Sequence, residues 1–267
     1  MPRRTDSKTE SRRKEKSSTD KGEDDKTARI VFQLSSVTKN WSGDNGFELT
    51  VPDLIIRQAE KVALVGFSGC GKSTLLDLLA MILQPDSSKE FAFFTAENKR
   101  LDVAETWRRN NLDRLARARM RHIGYVLQTG GLLPFLSVYD NIALSRYGLG
   151  LEEQAAVKSV AEKLGIDRHL DKYPAQLSVG ERQRVSIARA MAHEPSVVIA
   201  DEPTASLDPI NAEDIMGLFT RLAEEQGVTL ILATHEWDRV EELGFRHVKF
   251  NLEKDQAEGS VRARVEG

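Results

Sequence analysis

The sequence has only one cysteine, Cys70, among its 267 residues. No disulfide can close within such a chain, and a reducing compartment is the default expectation. Long apolar runs are also missing: nothing approaches the roughly 18 residues needed to span a bilayer as a helix. The longest stretches, such as Val62-Ala63-Leu64-Val65 and Val197-Val198-Ile199-Ala200, have the length of buried strands. The amino-terminal residues lack the apolar segment of a secretory leader. Nor is there an excess of positive charge. The formal net charge is -3, so no global basic field points to nucleic acid. Any membrane role is therefore expected to come through a partner.

What is present is enough for a core, since 40% of the residues are hydrophobic. Residues 1–27 are the exception. They are almost entirely Arg, Lys, Asp, Glu, Ser and Thr, and are expected to form a disordered, charge-mixed tail. Such a tail is either a plain solvated extension or a weak tether to anionic lipid or to a partner. Order is expected from about Arg29. Ile30, Phe32 and Leu34 alternate, as do Phe47, Leu49 and Val51, with Gly43-Asp44-Asn45-Gly46 between them. This reads as two antiparallel strands joined by a turn, with a further apolar piece at Leu54-Ile55-Ile56. From residue 62 onward, short apolar runs (62–65, 123–127, 197–200 and 228–233) alternate with helical patterns. That alternation predicts an α/β fold with a parallel sheet covered by helices. Between Leu133 and Gln176 the only periodicity is helical: Ala156, Val157, Val160, Ala161 and Leu164 recur, with Gly165 as a C-cap. A helical subdomain is expected over about 133–177, a main domain over 28–245, and a short tail over 246–267.

The segment Gly66-Phe67-Ser68-Gly69-Cys70-Gly71-Lys72-Ser73 follows an apolar strand and precedes a helix with Leu75, Leu76, Leu78 and Leu79. Glycines at this spacing let successive N–H groups face a phosphate, and the helix N-terminus adds partial positive charge. Lys72 is placed to reach the β- and γ-phosphates, and the Ser73 hydroxyl to hold Mg²⁺, with Thr74 next in line. Cys70 reads as a small loop residue rather than a reactive thiol. The run Val197-Val198-Ile199-Ala200-Asp201-Glu202 carries two carboxylates to the end of a buried strand. Asp201 is then expected to hold Mg²⁺, and Glu202 to polarise the water that attacks the γ-phosphate. Taken locally, Ser178 followed by Glu181 is a capping box that opens a helix bearing Val185, Ala188 and Met191.

In family terms, Leu177-Ser178-Val179-Gly180-Glu181 followed by Gln183-Arg184 resembles the signature motif of ABC ATPases, usually Leu-Ser-Gly-Gly-Gln. The resemblance covers about residues 29–240 and implies a P-loop NTPase core with an antiparallel β subdomain and an inserted helical subdomain. Gln128 resembles the Q-loop glutamine, a metal and catalytic contact. Ser206-Leu207-Asp208 resembles the D-loop, and His235 the switch histidine. Trp41 suits the aromatic that stacks on adenine, although it also reads as a packing residue at a strand end. Two positions depart from the pattern. Val179 replaces a glycine, and Glu181 replaces a glutamine and adds negative charge where a γ-phosphate is expected, unless capping turns it back toward its own helix.

The resemblance implies a Mg²⁺-dependent ATPase at the cytoplasmic face of a membrane, working with integral permease subunits and with a second copy of itself. Lys72, Ser73 and Asp201 of one copy would hold ATP-Mg²⁺. Ser178, Gly180 and Glu181, with Asp208 nearby, would close the site from the other copy. The apolar run 131–138 is either a docking surface for the membrane subunit or internal packing. The stretch from Arg114 to Gln128, with Leu133-Pro134, is most similar to the lipoprotein-releasing and macrolide-efflux branch. A soluble ABC ATPase and an ATP-gated scaffold remain the alternatives.

Overall fold

Strands made only of apolar residues need cover on both faces, and the fold supplies it. In the computed structural model, residues 29–41, 46–254 and 261–267 are described. The expected charged tail and most of the expected 43–46 turn lie outside them. The described strands form one ten-stranded sheet, in the order β5-β4-β1-β2-β10-β9-β3-β8-β7-β6. β3 (Lys61–Val65), β6 (Ile123–Val126), β7 (Val197–Asp201) and β8 (Thr229–Thr234) run parallel. Successive residues of these strands point to opposite faces. Val62, Leu64, Val197, Ile199 and Ile231 enter one core, together with α1 (Lys72–Leu79). Ala63, Val65, Val198, Ala200, Leu230 and Leu232 enter a second core, against α6 (Val179–Met191) and α7 (Pro209–Glu225).

The antiparallel arm is β1 (Ile30–Trp41), β2 (Phe47–Arg57), β4 (Glu90–Phe94) and β5 (Arg100–Asp102). The apolar piece at 54–56 is not a separate element. β2 runs through it, and the ladder continues on both sides of Pro52 with the pairs Val37–Val51 and Ser35–Asp53. α2 (Val103–Arg108) and α3 (Leu112–His122) fill the interval before β6. The helical segment holds α4 (Val138–Leu149) and α5 (Gln154–Lys163), and Gly165 lies just past α5 at φ 65°.

One expectation is corrected. Residues 246–267 are not a simple tail, because Arg246–Lys254 forms β9 and Val261–Glu266 forms β10. β9 runs parallel to β3, and β10 pairs with β9 and β2, joining the arm to the parallel half of the sheet. The reason is burial on one face only. Val248, Ala263 and Val265 are buried while charged neighbours alternate outward, so the average composition looks like a tail.

Close approach makes Gly124 of β6 irreplaceable. A β-carbon there would sit 2.1 Å from the Ala190 carbonyl oxygen of α6. Backbone cannot yield as a flexible side chain can, so Gly124→Ala is expected to cost about 2–3 kcal/mol, lowering Tm by roughly 5–10 °C. An unchanged Tm would mean that α6 and β6 are farther apart than described.

Candidate functional site

Parallel register gathers four strand ends. Val65 pairs with Thr234, Asp201 with Ala233, and Val126 with Ala200. The residues just beyond each strand therefore lie along one sheet edge: the 66–73 loop, His235, Glu202 and Gln128. Open α/β sheets bind ligands at this edge.

The loop reaches its shape through glycine. Gly69 and Gly71 stand at φ 78° and 100°, where other residues are strained. Gly71 caps α1 with no side-chain hydrogen bond, and no acidic residue lies in the first turn. α2, α3, α4, α6 and α7 all use a side chain instead: Asp102, Asn111, Ser137, Ser178 and Asp208. The first N–H groups of α1 are thus left for an anion from outside. Lys72 is buried, and its Nζ donates to the carbonyl oxygens of Gly66 (2.8 Å) and Phe67 (3.1 Å). Cys70 is buried beneath the loop, and burial pushes its thiol pKa up despite the nearby Lys72, as suits a packing residue. Phe67 and Ser68 are exposed at the crown of the loop.

Lys72, Glu202 and His235 converge. Glu202 Oε1 lies 3.9 Å from Lys72 Nζ and 3.8 Å from His235 Nδ1. Glu202 also takes φ 43°, a left-handed value uncommon outside glycine, and its N–H donates to Ala233 at 3.0 Å. Strained residues of this kind gather at functional sites. Asp201 is half-buried beside it and Ser73 is exposed at the start of α1. Carboxylate and hydroxyl oxygens are the donors that a hard cation such as Mg²⁺ takes, so the residues present fit a Mg-bound triphosphate. Trp41, at the end of β1, stacks obliquely on Phe47 with ring centroids 5.9 Å apart. The Phe47 ring in turn lies against Gly71, so the aromatic pair flanks the loop.

Gln128, the fourth residue of this edge, is exposed in the turn beyond β6. The remaining expected site residues lie elsewhere. Ser178, Gly180, Glu181 and Asp208 line a separate cavity of about 490 Å³, and no residue of 66–74 lines it. Val179 opens α6 without a positive φ, so the missing glycine imposes no strain there. Glu181 does turn back: its Oε2 accepts from the Ser178 N–H at 2.7 Å, and Ser178 Oγ accepts from the Glu181 N–H at 3.2 Å. The Ser178 N–H, with the Ser178 hydroxyl beside it, holds the Glu181 carboxyl pKa below the ordinary range. The Asp208 carboxylate caps α7 by accepting from Asn211.

Sequence reasoning missed two supports. Tyr125 Oη donates to Asp77 Oδ1 at 3.0 Å, and burial raises the Asp77 carboxyl pKa next to the Asp201 charge. Arg189 of α6 donates to the carbonyls of Gly130 (2.9 Å) and Gly131 (2.8 Å), fastening the segment just after Gln128. Both depend on pairs distant in sequence, so no local signal marks them.

The chain matches the ABC transporter family over residues 49–205. It is 38% identical to the lipoprotein-releasing system ATP-binding protein LolD of Idiomarina loihiensis, over 80% of this chain and 91% of that protein. It is 36% identical to the methionine import ATP-binding protein MetN 4 of Oceanobacillus iheyensis, over 79% of this chain but 59% of that longer protein. Among solved structures it resembles the dimeric post-hydrolysis state of the ATP-binding cassette MJ0796 bound to ADP and Pi. That likeness has a TM-score of 0.70 at 30% identity, covering 88% of this chain and 98% of that one.

Proposed function

The chain belongs to the ABC transporter family of ATP-binding domains, and from that premise we propose that it hydrolyses ATP to drive partner membrane subunits. The observation that carries this reading is the meeting of Lys72, Glu202 and His235 at the uncapped start of α1. Bound ATP-Mg²⁺ would supply the phosphoanhydride and the charge that neutralises it. Lys72 would bind the β- and γ-phosphates, with Ser73 and Asp201 holding the cation and Gln128 completing its surroundings. Glu202 would orient and polarise the attacking water, and His235 would steady the γ-phosphate side.

Two copies would act together. The loop of one copy would receive the Ser178 end of α6 from the other, with Gly180 and Asp208 beside it. The separation of the 490 Å³ cavity from the phosphate loop on a single chain supports this, because neither surface closes a site alone. Loss of phosphate would then open the pair, giving a two-state element able to do work. The ATPase domain would comprise residues 28–245 with its helical segment at about 133–177, together with β9 and β10.

No helix among the described residues is long and apolar enough to cross a membrane. Attachment to the cytoplasmic face would therefore come through permease subunits. Relatives named for lipoprotein release and for methionine import match about equally well. Cargo would thus be chosen by the membrane partner, and the lipoprotein-releasing and macrolide-efflux branch rests on sequence likeness alone. The test is phosphate release from ATP by the purified chain, expected to vanish on chelation of Mg²⁺. Retention of ATP without any phosphate release would leave a nucleotide-gated scaffold.

A further inference from the structure

The two most exposed large apolar side chains among the described residues are Phe67, at 84%, and Ile210, at 81%. A single residue of this kind on a surface is ordinary, so placement and support decide whether the pair carries meaning. Phe67 stands at the crown of the phosphate loop with its backbone fixed. Its carbonyl oxygen accepts from Lys72 Nζ at 3.1 Å and from the Cys70 N–H at 3.3 Å. Ile210 lies in the first turn of α7, behind Pro209 and the Asp208 cap. Leu207 and Asp208 line the 490 Å³ cavity together with Val179, which is itself exposed. The chain thus presents an apolar ring on the loop and an apolar edge beside the cavity. Both sit on ordered backbone, which leaves little entropy to lose on docking. Neither covers the other on one chain, since no residue of 66–74 lines the cavity.

We propose that Phe67 of one copy packs against Ile210 and Val179 of the other, as an apolar anchor beside the shared nucleotide. The inference rests on the two-copy reading above and adds to it a contact that ATP does not make. The occupant is a second copy, because the two halves of the contact lie on the two surfaces which that reading brings together. Arg168 and Asn211, also on the cavity wall, supply the polar rim that surrounds such an anchor. Two kinds of contact then divide the closing of the pair. Ser178 and Gly180 respond to the charge of a γ-phosphate, whereas Phe67 and Ile210 add attraction that depends on apolar area alone. Two-fold symmetry makes this contact twice in each pair.

The experiment is a double-mutant cycle on the full chain, with Glu202→Gln present throughout to stall turnover. Light scattering gives the chain concentration for half-assembly at saturating ATP-Mg²⁺. Phe67→Ala and Ile210→Ala are each expected to raise it by roughly 10- to 100-fold, the effect of losing a buried anchor at two symmetric places. Both side chains are exposed on one chain, so neither truncation should lower the Tm measured without nucleotide. The combined variant should fall well short of the product of the two shifts, because the first truncation already empties the contact. Added salt should leave the shifts in place, since no charge is removed. Assembly within about 2-fold of the parent for either variant, shifts that simply multiply, or shifts that vanish in salt overturn the anchor while leaving the two-copy reading intact. Absence of ATP-driven assembly in the parent overturns both.

Discussion

Glu202→Gln is expected to reduce phosphate release by at least about 100-fold while ATP-bound dimers accumulate, since a positioned general base contributes roughly 10²–10⁴ in rate. The substitution is nearly isosteric, and both side chains face the same strained φ of 43°, so the fold should not change. What changes is the charge on the atom 3.9 Å from Lys72 Nζ and 3.8 Å from His235 Nδ1. An amide oxygen there can still accept a hydrogen bond from water, but it cannot take up a proton. ATP binding survives because its expected contacts come from the loop and from α1. Phosphate assays and light scattering with ATP-Mg²⁺ separate the two effects. Near-normal turnover would remove Glu202 from the chemistry. A variant that stays monomeric at high concentration, with and without docked membrane subunits, would remove the sandwich.

Lys72→Ala is expected to weaken ATP binding by roughly 30- to 1,000-fold, the range for losing one partner of a desolvated charge contact. Its ammonium is buried among the loop carbonyls of Gly66 and Phe67 and points to the same place as Glu202. A triphosphate entering here would replace those carbonyls with stronger, charge-assisted partners. Arginine is not an equivalent substitute, because its planar fork does not fit a cradle shaped for a point charge. Calorimetric titration measures the loss directly. The rise in Tm that ATP confers on the unaltered chain should disappear as well. Binding that persists within about 3-fold would show that the phosphates sit elsewhere.

The strand-loop-helix at 62–79 could be read directly, because glycine spacing, an apolar run and helical leucines are local properties. The central strands were legible for the same reason, since continuous apolar runs need no knowledge of partners. α6 announced itself through the Ser178-Glu181 capping box, and the bonds that define such a box span only three residues. β9 and β10 were hidden. Ala263 pairs with Leu49 and Leu252 across the sheet, and only its own face and that of Val265 are buried. The exposure of Phe67 and Ile210 was equally silent, because an apolar residue in a sequence does not say whether the core covers it.

The sequence by itself thus determined the family, the glycine-rich turn between β3 and α1, the acidic strand end and the capped start of α6, all carried by residues close along the chain. Only the tertiary structure decided that Glu202, Lys72 and His235 meet at one oxygen and that the carboxyl-terminal strands complete the sheet. The physical reason is range. Propensity, capping and loop conformation are set within a few residues, whereas these meetings depend on which strand ends and turns the core packing brings into register.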